Sequence, residues 1–161
     1  MKGNTKIIDA LNTMLAYEMT ASDQYFVHAH VYQDMGLLYL YDRIYHEHQE
    51  ELTHAKVLIE RILFLEGTPD LGQRLPANTS RDVPQMLQHD LDTEMAVIRQ
   101  LREIVVLCEQ EQDFVTRDRL MPLLLDTEQD HIHWLEQQLR LIGMVGLQNY
   151  LQSQMKPGTA G

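Results

Sequence analysis

His46-Glu47-His48-Gln49-Glu50-Glu51-Leu52-Thr53-His54 is the stretch that decides the fold. Glu51 and His54 lie three residues apart inside a helical pattern running from about Leu37 to Leu65. On a helix, that spacing puts a carboxylate and an imidazole on one face, one turn apart. The pair recurs as Glu128-Gln129-Asp130-His131. Each copy has a lone glutamate upstream: Glu18 precedes Glu51 by 33 residues and Glu94 precedes Glu128 by 34. The chain thus reads as two copies of one unit, a helix carrying Glu followed by a helix carrying Glu-x-x-His. Four such Glu and two such His, facing inward in a four-helix bundle, make a site for two metal ions.

The flanking sequence supplies the helices. Apolar residues return every three or four positions from Thr5 to Gln33, and Glu18 interrupts that apolar face. Asp34-Met35-Gly36 is a short break suited to an antiparallel hairpin, and the second helix spans 37–65 before Gly67 and Pro69 stop it. The stretch 67–82, with two prolines and two glycines, is too long for a hairpin turn. Extended, it can run back along the bundle, so the third helix starts at the same end as the second. That helix covers 83–109, with Glu94 interrupting its apolar stripe, and the fourth covers 114–142 with Pro122 inside it. Gly143 and Gly146 flank a bend, 146–153 reads as a short fifth helix, and 156–161 reads as a disordered tail. The expectation is a single all-α domain over residues 1–161, a four-helix bundle with one long crossover between helices 2 and 3.

Composition narrows the function. A net charge of −11 argues against nucleic acid and favours cations as partners. No uncharged apolar run is long enough to span a membrane, and no signal peptide is apparent at the start. A single cysteine, Cys108, points to a reducing, cytoplasmic compartment. Carboxylates can bridge two cations, and a mixed carboxylate and histidine set suits iron or manganese, with zinc competing. His46 to Glu50 is not His-Glu-x-x-His, so a zinc protease is not indicated.

At this point the sequence resembles the bacterioferritins, within the ferritin-like superfamily. The likeness runs through Asp23-Gln24-Tyr25-Phe26-Val27-His28-Ala29, Ile59-Glu60-Arg61-Ile62-Leu63-Phe64-Leu65-Glu66-Gly67, Asp113-Phe114-Val115-Thr116-Arg117-Asp118 and Gly146-Leu147-Gln148-Asn149-Tyr150-Leu151-Gln152. The resemblance implies a ferroxidase that oxidises Fe(II) with O2 or H2O2 and stores ferric mineral. It implies a hollow shell of roughly twenty-four subunits built from two-fold dimers, with the short fifth helix at the four-fold channels. It assigns Glu18 and His54 to one iron, Glu94 and His131 to the other, and Glu51 and Glu128 as bridges. Tyr25 stands beside the centre, and His46 and Glu50 match an inner-surface iron site.

The resemblance also implies haem b at the two-fold interface, held by a methionine where this chain has Leu52. Leucine cannot ligate iron, and Ser22, Asp23 and Gln49 add polarity nearby, so weak or absent haem binding is expected of the homodimer. Such a chain resembles the catalytic member of a mixed shell with a haem-binding subunit. A ferredoxin-type electron donor would be a further partner. The alternative within enzymes is a di-iron oxidase or peroxidase that stores nothing.

Overall fold

The computed structural model describes residues 1–156. Its helices are α1 (Thr5–Asp34), α2 (Leu38–Phe64), α3 (Val83–Gln110), α4 (Phe114–Asp126), α5 (His133–Val145) and α6 (Leu147–Ser153). A π-helical turn, Thr127–Ile132, joins α4 to α5. Among the described residues there is no strand, and no helix is long and apolar enough to cross a membrane.

Local chemistry sets the helix ends. Asn4, Asp82 and Asp113 each turn a side-chain oxygen onto a free amide of the first turn, at Lys6, Gln85 and Thr116. Gly36 adopts φ +78° between α1 and α2, a left-handed conformation that costs glycine little. Gly146 does the same between α5 and α6 at φ +83°.

The crossover is pinned along the length of α1. Asn12 donates to Thr68 O and accepts from Asp70 N, Thr20 Oγ accepts from Leu75 N, and Gln24 Oε1 accepts from Asn78 N. Arg74 pairs with Asp23, and Arg81 with Asp34. Contacts advance along α1 as the crossover advances, so α3 starts beside the end of α1 and runs parallel to α2. The fourth helical segment then returns antiparallel to α2: Arg61 binds Thr116 and Asp113, His54 meets Asp126, and Arg43 meets Asp130. This is the ferritin-like bundle with its short C-terminal helix.

The apolar core comes in two blocks. One includes Leu11, Met14, Leu15, Leu58, Ile62, Leu101, Ile104 and Leu120. The other includes Tyr32, Leu40, Ile44, Met86, Leu87, Leu135 and Tyr150. Tyr150 anchors α6 by burying its ring and donating to Gln138 Oε1 at 3.0 Å. Residues near positions 18, 51, 94 and 131 fall between the blocks.

The fourth helix departs from expectation. It is α-helical through Pro122, on an exposed face, and then widens into the π turn five residues later. It also continues past Gly143 to Val145, so the bend falls at Gly146 alone. Phe26 points outward at 43% exposure, with His30, Tyr45 and His48 around it. Residues 157–161 of the expected tail lie outside the described residues.

Candidate metal centre

Three carboxylates from three helices meet between the two apolar blocks: Glu18 of α1, Glu51 of α2 and Glu94 of α3, all fully buried. His54 of α2 and His131 of the π turn join them. Glu18, Glu51 and His54 offer ligand atoms within 4.8 Å of one another, and so do Glu51, Glu94 and His131. Glu51 belongs to both groups and gives one oxygen to each. Its Oε2 is 3.2 Å from His54 Nδ1, and its Oε1 is 3.0 Å from His131 Nδ1. Glu18 Oε2 is 3.8 Å from His54 Nδ1, and Glu94 Oε1 is 3.2 Å from His131 Nδ1. The two imidazoles stack with centroids 5.8 Å apart.

The electrostatics suit a cation. Burial, and then the neighbouring Glu51, push the Glu18 carboxyl up to about 8. Burial alone would lower His54, but the carboxylates of Asp126, Glu18 and Glu51 around the ring outweigh it and raise the imidazole to about 12. His131 is raised for the same kind of reason: Glu94, Glu47, Glu50 and Glu51 overcome its burial. Both oxygens of Glu18 and Oε2 of Glu94 are buried without a hydrogen-bond partner. Orphaned carboxylate oxygens are rare in an interior, and a bound cation satisfies them. Tyr25 donates its hydroxyl to Glu94 Oε1. Burial and then Glu94 hold that phenol well above its usual range, so it stays a donor.

Glu128 is not brought to this centre. Its side chain is 56% exposed and pairs with Arg102 at 3.1 Å. The reason is the π turn. An α-helix puts residues three apart on one face, but i→i+5 bonding widens the turn and rotates that partner away. The face beside His131 passes instead to residues four and five earlier. Thr127 is buried and donates its hydroxyl to Leu123 O. Asp126 brings Oδ2 to 2.8 Å from His54 Nε2.

A second acidic group lies on the far side of His131. Its Nε2 is 2.8 Å from Glu47 Oε2 and 3.1 Å from Glu50 Oε2, and Asp130 completes the group. This group already holds a cation of its own. Arg43 reaches Glu47 at 2.5 Å and Asp130 at 2.8 Å while its guanidinium lies over Trp134. His46 Nε2 sits 3.1 Å from Glu50 Oε1, so Glu50 links the exposed His46 to buried His131. The hydrogen bond from His131 lowers the Glu50 carboxyl below its usual range.

Comparison with known proteins agrees with this geometry. Residues 8–145 match the model of the ferritin-like domain named Ferritin. The chain belongs to the ferritin family. It is 56% identical over 155 residues to a bacterial ferritin of Synechocystis sp., covering 96% of this chain and 99% of that protein. It is 53% identical over 154 residues to a bacterial ferritin of Paramagnetospirillum magnetotacticum, covering 95% and 94%. A bacterioferritin of Brucella melitensis is 35% identical over 157 residues, covering 98% and 97%.

In this ferritin-family chain, sequence reasoning missed Asp126 and Glu47. Glu47 is 1% exposed although its neighbours in sequence look like a solvated face, because Arg43 and His131 draw it inward. Leu52 stands 43% exposed on the outer side of α2. Near it, Ser22 is buried against His48 Nδ1 at 2.8 Å and Asp23 is tied to Arg74. Intrachain partners therefore engage two of the three polar residues expected to line that stripe, and Gln49 remains exposed. His133 is exposed, with Nε2 3.0 Å from Gln137 Nε2.

Proposed function

We propose that this chain is an iron-storage ferroxidase whose centre is formed by Glu18, Glu51, His54, Glu94 and His131. The observation that carries the reading is the division of Glu51, with one oxygen in each of two buried ligand groups. Fe(II) is the substrate. Two Fe(II) lose one electron each; with O2 the balance is two Fe(II), one O2 and two protons giving two Fe(III) and H2O2. With H2O2 as oxidant, two Fe(II) yield two Fe(III) and two hydroxides. The protein's part is to hold two cations close together, to neutralise their repulsion with carboxylates, and to keep the pair dry between apolar blocks. Tyr25 fixes the orientation of Glu94 by its hydrogen bond. His46 and Glu50, on the rim beside His131, form a way-point for iron between the centre and a mineral cavity. The shell is a closed assembly of roughly twenty-four copies, built from two-fold dimers.

The test is an aerobic Fe(II) titration of the purified assembly, followed by ferric absorbance. A fast phase saturating at about two irons per chain, then slower growth of soluble mineral, is expected. Fast oxidation with no retained mineral would make the protein a non-storing di-iron oxidase. Absence of a fast phase would overturn the reading.

The homo-oligomer is expected to bind haem substoichiometrically or not at all, because Leu52 offers no axial donor. Purified homo-oligomer reconstituted with haem b and desalted checks this. A Soret band at one haem per two chains with bis-methionine character would contradict it. Mixed shells with a methionine-bearing subunit would restore the band.

A further inference from the structure

Arg43, Glu47 and Glu50 follow one another at steps of four and three along α2, so they share one face of it. Docking of the fourth helical segment sets Asp130 and Trp134 against Arg43 on that face. There Glu47, Glu50, Asp130 and His131 offer ligand atoms within 4.8 Å of one another. The proposed centre takes His131 through Nδ1, which leaves its proton on Nε2, and Nε2 is hydrogen-bonded to Glu50 Oε2 at 3.1 Å. What remains for a further cation is three carboxylates, an all-oxygen set that suits a hard ion. Glu47 is the unusual member. It is buried, yet neither of its oxygens makes a well-aligned hydrogen bond. Arg43 Nε lies close to Glu47 Oε1 and is likewise without an aligned bond. That pair is held by charge, not by the parallel fork that makes arginine–carboxylate bonding strong and directional. A buried carboxylate so little satisfied by direction is one that a cation must neutralise.

We propose that Arg43 is a tethered cation that occupies this acidic group in place of a further metal ion. Its guanidinium is held from three sides: by Glu47, by a hydrogen bond to Asp130 Oδ1 at 2.8 Å, and by the ring of Trp134 with its centroid 5.0 Å away. A divalent ion entering the group must displace the guanidinium or sit beside a like charge a few ångströms away. Three carboxylates still outnumber one guanidinium, so the group draws cations toward it. Iron moving along His46 and Glu50 is therefore attracted to this rim without being trapped in it. The inference rests on the proposed centre and deepens it, by naming the residue that confines tight metal binding to that centre.

Trp134 is the one tryptophan of the chain, and it supplies the readout. The assembly is first loaded with about two Zn(II) per chain to fill the centre. Tb(III), a cation that prefers oxygen donors, is then titrated while its emission is excited through the indole. Arg43→Gln is expected to take up Tb(III) roughly 10–100-fold more tightly than wild type, because a like charge at contact distance has gone. Arg43→Lys keeps the charge but loses the planar stacking, and should fall between the two. Adding Glu47→Gln to Arg43→Gln should abolish the gain. An Arg43→Gln titration that overlays wild type would overturn the proposal. A gain that survives Glu47→Gln would also overturn it, because the ion would then lie elsewhere. Wild type failing to retain Zn(II) would instead overturn the di-metal reading, and the same Tb(III) comparison on the unloaded assembly would still decide the role of Arg43.

Discussion

Glu51→Gln is expected to slow the fast phase of Fe(II) oxidation by on the order of 100-fold or more, since even outer partners of metal ligands are worth about 10–100-fold. Glu51 is the residue whose loss breaks both ligand groups, because each of its oxygens serves a different histidine side. Glu18→Gln and Glu94→Gln each leave one complete group. A reaction that needs two irons together should therefore suffer most from the change at Glu51. Glu128→Gln should alter the rate by no more than about twofold, the range of an ordinary surface substitution. Stopped-flow mixing of metal-free assembly with about two Fe(II) per chain checks the ranking. A large loss in Glu128→Gln with a small one in Glu51→Gln would mean that the π turn rearranges when metal binds.

The second large effect has the opposite sign. In metal-free protein, Glu18→Gln is expected to raise stability by about 2 kcal/mol at pH 7. The folded-state pKa of Glu18, about 8, lies above its ordinary 4.5. The folded chain therefore keeps a proton that the unfolded chain releases above pH 4.5. Stability from this group falls as pH rises from 4.5 to about 8, and stays at its low value beyond. Glutamine needs no proton, so the advantage of the variant is negligible near pH 4.5 and grows until about pH 8. For a chain of this size, about 2 kcal/mol corresponds to roughly 4–8 °C in melting temperature. Scanning calorimetry of both metal-free proteins between about pH 5 and 8.5 reads it. Metal should reverse the order, because an ion that binds only the folded state stabilises wild type more. A Glu18→Gln protein that melts below wild type at every pH, metal-free, would refute the argument.

Much of the centre was legible because burial of a glutamate leaves a trace in the pattern. Glu18 and Glu94 each interrupt an apolar stripe, and Glu51 and His54 lie three apart on an uninterrupted α-helix, where that spacing means a shared face. The same reading for Glu128 presumes α-helical phase, whereas the π turn directs its side chain outward to Arg102. No residue between 126 and 132 signals a π turn: Thr, Glu, Gln, Asp and His are all accommodated in an α-helix. Glu47 was illegible for another reason. Its burial depends on Arg43, Asp130 and His131, which are brought together only when the fourth helical segment docks on α2. The path of the crossover was legible as length and composition, but not its partners along α1, since Asn12, Thr20 and Gln24 look like ordinary polar positions until the chain is folded.

The two-block core bears on how this chemistry can change. Each block is a packed lobe in its own right, and the long helices thread through both. Folding free energy is lodged in the lobes, while the iron chemistry occupies a waist that contributes little or opposes it. A waist of that kind can be rewritten. A widened turn can be accommodated, one carboxylate can swing out to solvent and another swing in, and the lobes on either side still close. The same architecture can in this way carry centres of different reactivity on one unchanged frame.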